Sequence, residues 1–102
     1  MNFIDVCGVG EIAPDSSRPA RAGGKDLALF NVEGTIHVLE NSCPHQGAAL
    51  TGGKLCGRHV TCPAHGLRFD VTTGAMAVAP SVTVKKFPVK IDGGRVLVDV
   101  GH

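Results

Sequence analysis

The sequence predicts an all-β fold of antiparallel strands, arranged as a sandwich or a barrel. Short runs rich in Val, Ile, Leu and Phe recur along the chain between turn residues. The 102 residues include 14 Gly and 6 Pro, which provide for many turns. No segment repeats apolar residues at the spacing of a capped amphipathic helix. Strands are therefore the expected elements throughout.

Seven strands are predicted in chain order. They are 3–7, 26–32, 35–40, 59–62, 67–71, 82–91 and 95–100. Residues 14–24, which are polar and contain Pro and Gly, are predicted to be a connection. Hairpins are predicted at Glu33-Gly34 and at Asp92-Gly93-Gly94, because glycine supplies the positive φ that tight turns between strands require.

Length and charge restrict the function. A chain of this size is expected to form one domain, residues 1–102. The formal net charge is +1 and the only aromatic residues are four Phe, so neither nucleic acid nor an anionic membrane is an expected partner. The N-terminus lacks an export signal and no apolar run approaches membrane-spanning length. A soluble cytoplasmic protein is the expectation.

Residues 41–66 form a 26-residue excursion with one weak strand, and such an excursion in a compact domain is usually functional. It contains Cys43 and His45, and then, after sixteen intervening residues, Cys62 and His65. Zinc sites more often pair like ligands within one loop. Mixed loops instead fit a two-iron cluster, held from both sides with the cysteines on one iron and the histidines on the other. Structural zinc remains the alternative.

The motifs "CPHQGAAL" (43–50) and "CPAHGLRFD" (62–70), followed by Thr73-Gly74 and Pro80, closely resemble those of Rieske 2Fe-2S proteins, in particular the small soluble ferredoxins. The resemblance extends over nearly the whole chain and includes the "GG" at 52–53. It implies a basal domain of antiparallel sheets with a cluster-binding subdomain at about 41–70.

The same resemblance implies one 2Fe-2S cluster per chain. By position, Cys43 and Cys62 would bind the inner iron, and His45 and His65 the outer, partly exposed iron. Gly47 and Gly66 fall where the family brings its backbone close to the cluster. With imidazoles in place of two thiolates the cluster is less negative, which makes its reduction easier.

Three positions distinguish this chain from respiratory and photosynthetic Rieske proteins. Those proteins carry a disulfide between the two ligand loops and a serine that donates to a sulfide, whereas this chain has Ala48, Ala64 and Leu67. Fewer donors to the cluster predict a potential toward the low end of the roughly −150 to +300 mV Rieske range.

These features predict a one-electron carrier and not an enzyme, since no nucleophile–base pair or phosphate loop is present. The resemblance implies a flavin-dependent NAD(P)H reductase as donor and a ring-hydroxylating terminal oxygenase as acceptor. The alternative is a Rieske-like small subunit of an assimilatory nitrite reductase, with the large subunit of that enzyme as acceptor. A structural zinc module is a third interpretation.

Two further features lie outside the ligand motifs. Cys7 and Cys56 are each predicted to be small buried or half-buried thiols. Within residues 41–70, the basic residues Lys54, Arg58 and Arg68 exceed the one acidic residue, Asp70, by two charges. This excess is interpreted either as a docking surface for an acidic partner or as an ordinary solvated surface.

Overall fold

The computed structural model describes residues 3–42, 49–63 and 66–101, which form ten strands and two short 3₁₀ helices. The strands are β1 (Phe3–Gly8), β2 (Ser17–Ala22), β3 (Lys25–Val32), β4 (Thr35–Glu40), β5 (Lys54–Cys56), β6 (His59–Thr61), β7 (Arg68–Asp70), β8 (Lys86–Phe87), β9 (Val89–Asp92) and β10 (Arg95–Asp99). The 3₁₀ helices are Val9–Glu11 and Leu50–Gly52. None of the helices in these ranges has the length and hydropathy needed to cross a bilayer. The predicted all-β class is confirmed.

The ten strands make three antiparallel sheets. The terminal sheet has the order β1-β10-β9, the central sheet β2-β3-β4-β8, and the loop sheet β5-β6-β7. The loop sheet is formed by the stretch that contains the second Cys/His motif. The other two sheets are formed by the segments before and after it.

Strand β3 is buried on both faces of the central sheet. Leu27 and Leu29 point to one core, and Ala28 and Phe30 point to the other, all with no exposed surface. A strand covered on both sides requires a continuous apolar run, which the sequence "LALF" provides. The central sheet is therefore the middle layer of the structure.

The two cores join this layer to its neighbours. The first core lies between the central and terminal sheets and includes Ile36 and Val38 together with Val96 and Val98. The second core lies on the loop-sheet side. It contains Ala28, Phe30, Leu39, Leu50, Val60, Cys62, Phe69, Val71, Met76 and Val84. The loop sheet is thus anchored on β3 and β4 by apolar packing.

Both predicted hairpins are confirmed, and in each the turn residues have positive φ. Glu33 and Gly34 join β3 to β4, with φ of 51° and 86°. Gly93 and Gly94 join β9 to β10, with φ of 58° and 78°. Asp92, which the sequence placed in the second turn, is the last residue of β9.

Three strand predictions were wrong. The segment predicted as a connection, 14–24, contains β2, an edge strand whose outward residues are polar and in which Pro19 is tolerated. The single predicted strand 82–91 is instead β8 and β9, separated at Pro88 and belonging to different sheets. Strand β5 was not predicted, because three residues with one apolar member give no period-2 signal.

Candidate metal centre

Cys62 immediately follows β6 and lies at the end of the loop sheet. Its side chain is completely buried in the second core. Its backbone N–H donates to the Leu67 carbonyl at 2.6 Å, and its carbonyl accepts from the Gly66 N–H at 2.9 Å. These two bonds close the second loop between β6 and β7, so the thiol is held by the strand framework on both sides.

Asn41 and Thr51 lie on either side of the first Cys/His motif, in what is here called the first loop, and they are hydrogen-bonded to each other. The Asn41 amide nitrogen donates to Thr51 Oγ1 at 3.1 Å, and the Thr51 N–H donates to Asn41 Oδ1 at 3.1 Å. The Asn41 N–H also donates to the Asp26 carbonyl at 2.9 Å, which ties the flank to β3. Neither residue was predicted to have a role; the available signal was a polar amide directly after a strand that precedes a ligand motif.

The return of the first loop packs against the start of the second. A Cβ placed on Gly53 would lie 1.8 Å from the Thr61 carbonyl oxygen, and one on Gly52 would lie 3.5 Å from Pro63 Cγ. Thr61 immediately precedes Cys62. Glycine at position 53 is therefore what allows the two ligand loops to approach each other at this point.

Of the four predicted ligands, Cys62 is the one within the described residues; Cys43, His45 and His65 lie outside them. Within the ranges that the structure describes, no group of three or more His, Cys, Asp or Glu side chains could hold a metal ion. Among the other positions singled out, Gly66 is described and has φ of 68°. Gly47, Ala48 and Ala64 also lie outside the described residues, and Leu67 is half-buried.

The chemistry at Cys62 fits a thiolate-bound metal group. A thiolate is a soft ligand suited to iron–sulfur clusters, and an apolar surrounding limits its access to water. Cys62 has such a surrounding, and the loop that follows is closed by two backbone hydrogen bonds. The positive φ of Gly66 is the backbone conformation that this tight loop requires.

Asp70, at the end of β7, organises the side of the loop sheet away from Cys62. Its carboxylate accepts from the Thr72 N–H at 2.9 Å and from the Thr72 hydroxyl at 2.5 Å, and it pairs with Arg58 Nε at 3.1 Å. Burial opposes ionisation, but the Thr72 hydrogen bonds and the positive charges of Arg58 and His59 together lower the pKa of Asp70 below its usual value.

Replacing Asp70 by Asn should reduce stability in a pH-dependent way. A carboxyl whose pKa is lowered by folding stabilises the protein above its unfolded pKa of about 4, and this contribution is lost as pH falls through the folded value. We expect Asp70→Asn to unfold more easily than wild type by about 1–2 kcal/mol at neutral pH, with the difference shrinking as the pH falls below about 4. Urea unfolding of both proteins across this range measures it; a difference independent of pH would contradict the assignment.

The predictions for the other two cysteines had different outcomes. Cys7 is buried in the first core, as predicted, and burial together with the nearby Glu11 charge raises the pKa of its thiol. Cys56 is exposed, so the prediction of a buried or half-buried thiol was wrong there. Cys56 is the last residue of β5, which is an edge strand of the loop sheet. Its side chain faces outward, where no other strand of that sheet covers it.

Residues 2–88 match the Rieske [2Fe-2S] domain. This chain belongs to the Rieske [2Fe-2S] family. The match includes both Cys/His motifs, the central and loop sheets, and β1 of the terminal sheet, and it ends before β9. Rieske domains bind a 2Fe-2S cluster, which confirms the predicted cofactor.

Several curated relatives of this Rieske protein are ferredoxin components of oxygenase systems. The ferredoxin component of a naphthalene 1,2-dioxygenase system from Pseudomonas aeruginosa is 41% identical over 99 residues, which cover 96% of this chain and 95% of the relative. The ferredoxin component of the 2,4-dinitrotoluene dioxygenase system from Burkholderia sp. (strain RASC) is also 41% identical, over 94% of this chain and 93% of the relative.

Solved structures share the fold of this chain. The Sphingomonas yanoikuyae B1 ferredoxin superposes with a TM-score of 0.88 at 33% identity, covering 95% of this chain and 97% of that chain. A chain from a complex of reduced oxygenase and oxidised ferredoxin in carbazole 1,9a-dioxygenase has a TM-score of 0.85 at 34% identity, covering 94% and 91%. The prediction of a Rieske-type ferredoxin is confirmed: the chain is an electron carrier and not itself an enzyme.

Proposed function

We propose that Cys43 and Cys62 bind one iron of the 2Fe-2S cluster and that His45 and His65 bind the other, within a single Rieske domain that spans residues 1–102. The cluster-binding subdomain would be about 41–70. The observation that carries this proposal is Cys62, a fully buried thiol in a loop closed by backbone hydrogen bonds at the end of the loop sheet. The matching Cys/His motif of the first loop supports the other half of the ligand set.

When bound, the cluster supplies one reversible electron per chain. The chain holds the two loops that carry the ligands. Gly53 lets the first loop reach the backbone beside Cys62, and the Asn41–Thr51 hydrogen bonds fix the described flanks of the first loop. The apolar second core excludes water from the Cys62 side. Rigid support of this kind limits the rearrangement that accompanies electron transfer.

We further propose that the electron comes from a flavin-dependent NAD(P)H reductase and passes to a ring-hydroxylating terminal oxygenase. The two relatives that are 41% identical to this chain are ferredoxin components of dioxygenase systems, which supports this choice. NAD(P)H is a cytoplasmic reductant, and the exposed thiol of Cys56 suits a reducing compartment. The proposed location is therefore the cytoplasm.

A spectroscopic experiment tests the ligand assignment. Purified wild type should contain about two iron and two sulfide per chain, and its reduced form should give an EPR signal with average g below the free-electron value. His45→Cys should lower the reduction potential or lose the cluster, because a thiolate makes the centre more negative. His59→Cys is the matched control, since it adds a thiol on β6 outside the proposed ligand set. An unchanged spectrum and potential in His45→Cys would contradict the ligand assignment. A colourless wild-type protein that contains zinc would favour a structural zinc site instead.

The alternative acceptor is an assimilatory nitrite reductase. A structure described as a putative nitrite reductase small subunit from Mycobacterium tuberculosis has a TM-score of 0.86 at 25% identity and covers 95% of this chain. Reduction of a purified naphthalene 1,2-dioxygenase terminal oxygenase by this protein would support the oxygenase acceptor. Failure there, with a gene for a nitrite reductase large subunit adjacent to this one, would favour the alternative.

A further inference from the structure

The outer face of the loop sheet is determined by the register of its strands. The cross-strand row that packs into the second core is Leu55, Val60 and Phe69. Side chains alternate along a strand, so the adjacent row of Lys54, Thr61 and Arg68 faces outward. Lys54 and Arg68 are exposed and Thr61 is half-buried between them.

This outward row borders the candidate metal centre. Thr61 immediately precedes Cys62, and Arg68 follows the Leu67 carbonyl that closes the second loop. The row therefore lies at the end of the loop sheet that is nearest the two Cys/His motifs. A protein that approaches these loops to exchange an electron would come close to the two cations.

The two cations of the row are not neutralised within the described part of the chain. Each of the other four arginines has a carboxylate oxygen within 4.0 Å, whereas neither Arg68 nor Lys54 has one there. Asp70, on the same strand as Arg68, is already engaged by Arg58 and Thr72. The positive charge of the row is thus available to an external partner.

An exposed apolar residue adjoins the same row. The Ala77 N–H donates to the Arg68 carbonyl at 2.8 Å, which holds this segment beside β7. The next residue, Val78, is 82% exposed, the largest value among the exposed large hydrophobic residues of the described chain. An apolar contact beside unpaired charges is the composition of a transient protein interface.

We propose that Lys54, Thr61, Arg68 and Val78 form a docking surface, here called the basic face, for an acidic surface of the terminal oxygenase. The inference rests on the proposed function and specifies where the acceptor binds. The two cations would accelerate encounter with a carboxylate-rich partner, and Val78 would supply apolar contact once the complex forms.

The test uses the cluster-containing protein, reduced with dithionite and freed of the excess reductant, and measures the rate at which it reduces two ferric haem proteins by one electron, acidic cytochrome b5 and basic cytochrome c. We expect Lys54→Glu with Arg68→Glu to slow the reduction of cytochrome b5 at least about tenfold at low salt and to accelerate that of cytochrome c. The matched control is Lys86→Glu with Lys90→Glu, on strands of the other two sheets. Both pairs replace two cations by two anions and so change the formal net charge of +1 by four units.

A change of less than about twofold in the control pair, beside the tenfold change in the basic face, would support the proposal. Equal effects of the two pairs would mean that only net charge matters and would overturn it. Val78→Ser should weaken electron transfer at high salt, where charge is screened, more than Ile91→Ser on β9 does; equal effects would again overturn the proposal.

The naphthalene 1,2-dioxygenase terminal oxygenase separates this inference from the proposed function. If wild type reduces the oxygenase and the Lys54/Arg68 pair does not slow it, the basic face is not the docking surface. If wild type fails to reduce the oxygenase, the proposed function fails for that partner. The cytochrome comparison then decides whether the basic face receives an acidic protein.

Discussion

Replacing Gly53 by Ala should destabilise the protein and release its cluster. The added Cβ would lie 1.8 Å from the Thr61 carbonyl oxygen, 2.8 Å from the Thr61 carbonyl carbon and 3.2 Å from the Leu50 carbonyl oxygen. All three neighbours are backbone atoms, so relief requires the first loop to move away from the strand that leads into Cys62. We expect a loss of about 3 kcal/mol in unfolding free energy. Iron and sulfide per chain should fall with it, because the ligand loops would no longer be held together.

Gly10→Ala is the matched control. Gly10 lies in an exposed 3₁₀ helix, has no positive φ, and a Cβ there would meet no atom within 4 Å. It should keep its iron and change the melting temperature by no more than a few degrees. Metal analysis together with thermal unfolding measures both effects. A Gly53→Ala protein with full iron content and wild-type melting would disprove the close packing of the two loops.

Gly74→Ala should also be strongly destabilising, for two separate reasons. Gly74 has φ of 84°, which costs an L-residue about 1 kcal/mol, and its added Cβ would lie 2.4 Å from the Val84 carbonyl oxygen. That carbonyl belongs to a segment whose Val84 N–H donates back to the Gly74 carbonyl at 2.7 Å. Separating the two segments would disturb the second core at Val84, so we expect a total loss of about 3 kcal/mol.

The control for this substitution isolates the cost of the backbone conformation. Gly57 also has positive φ, 59°, but a Cβ there would meet nothing within 4 Å. Gly57→Ala should therefore cost only about 1 kcal/mol. Urea unfolding of the two variants gives the comparison. If both lose the same stability, the contact with Val84 contributes nothing and the effect of Gly74→Ala is conformational alone.

The sequence was most informative where chemistry or patterning is local. The two hairpin turns were located from glycine, because positive φ is a property of single residues. The strands 26–32 and 35–40 agree with β3 and β4 to within one residue, because their apolar runs are long and bounded by turns. The Rieske family was identified from two Cys/His motifs, and the family match confirms it.

Prediction failed where the environment, and not the residue type, determines structure. Strand β2 has a polar sequence, since an edge strand needs few apolar residues, and it was taken for a connection. Cys56 was expected to be buried because free cysteines usually are, but it ends an edge strand at the surface. Pro88 divides one apparent strand into two, because it lies where the chain passes from the central sheet to the terminal sheet.

The sequence by itself determined the strand-rich class and the family, since both depend on residue identity and short spacing. Only the tertiary structure decided that the central sheet is covered on both faces, that Gly53 contacts Thr61, and that Lys54 and Arg68 share one outward row. These relations join residues that are distant along the chain. They depend on strand register and on which faces pack together, and neither is encoded in any one segment.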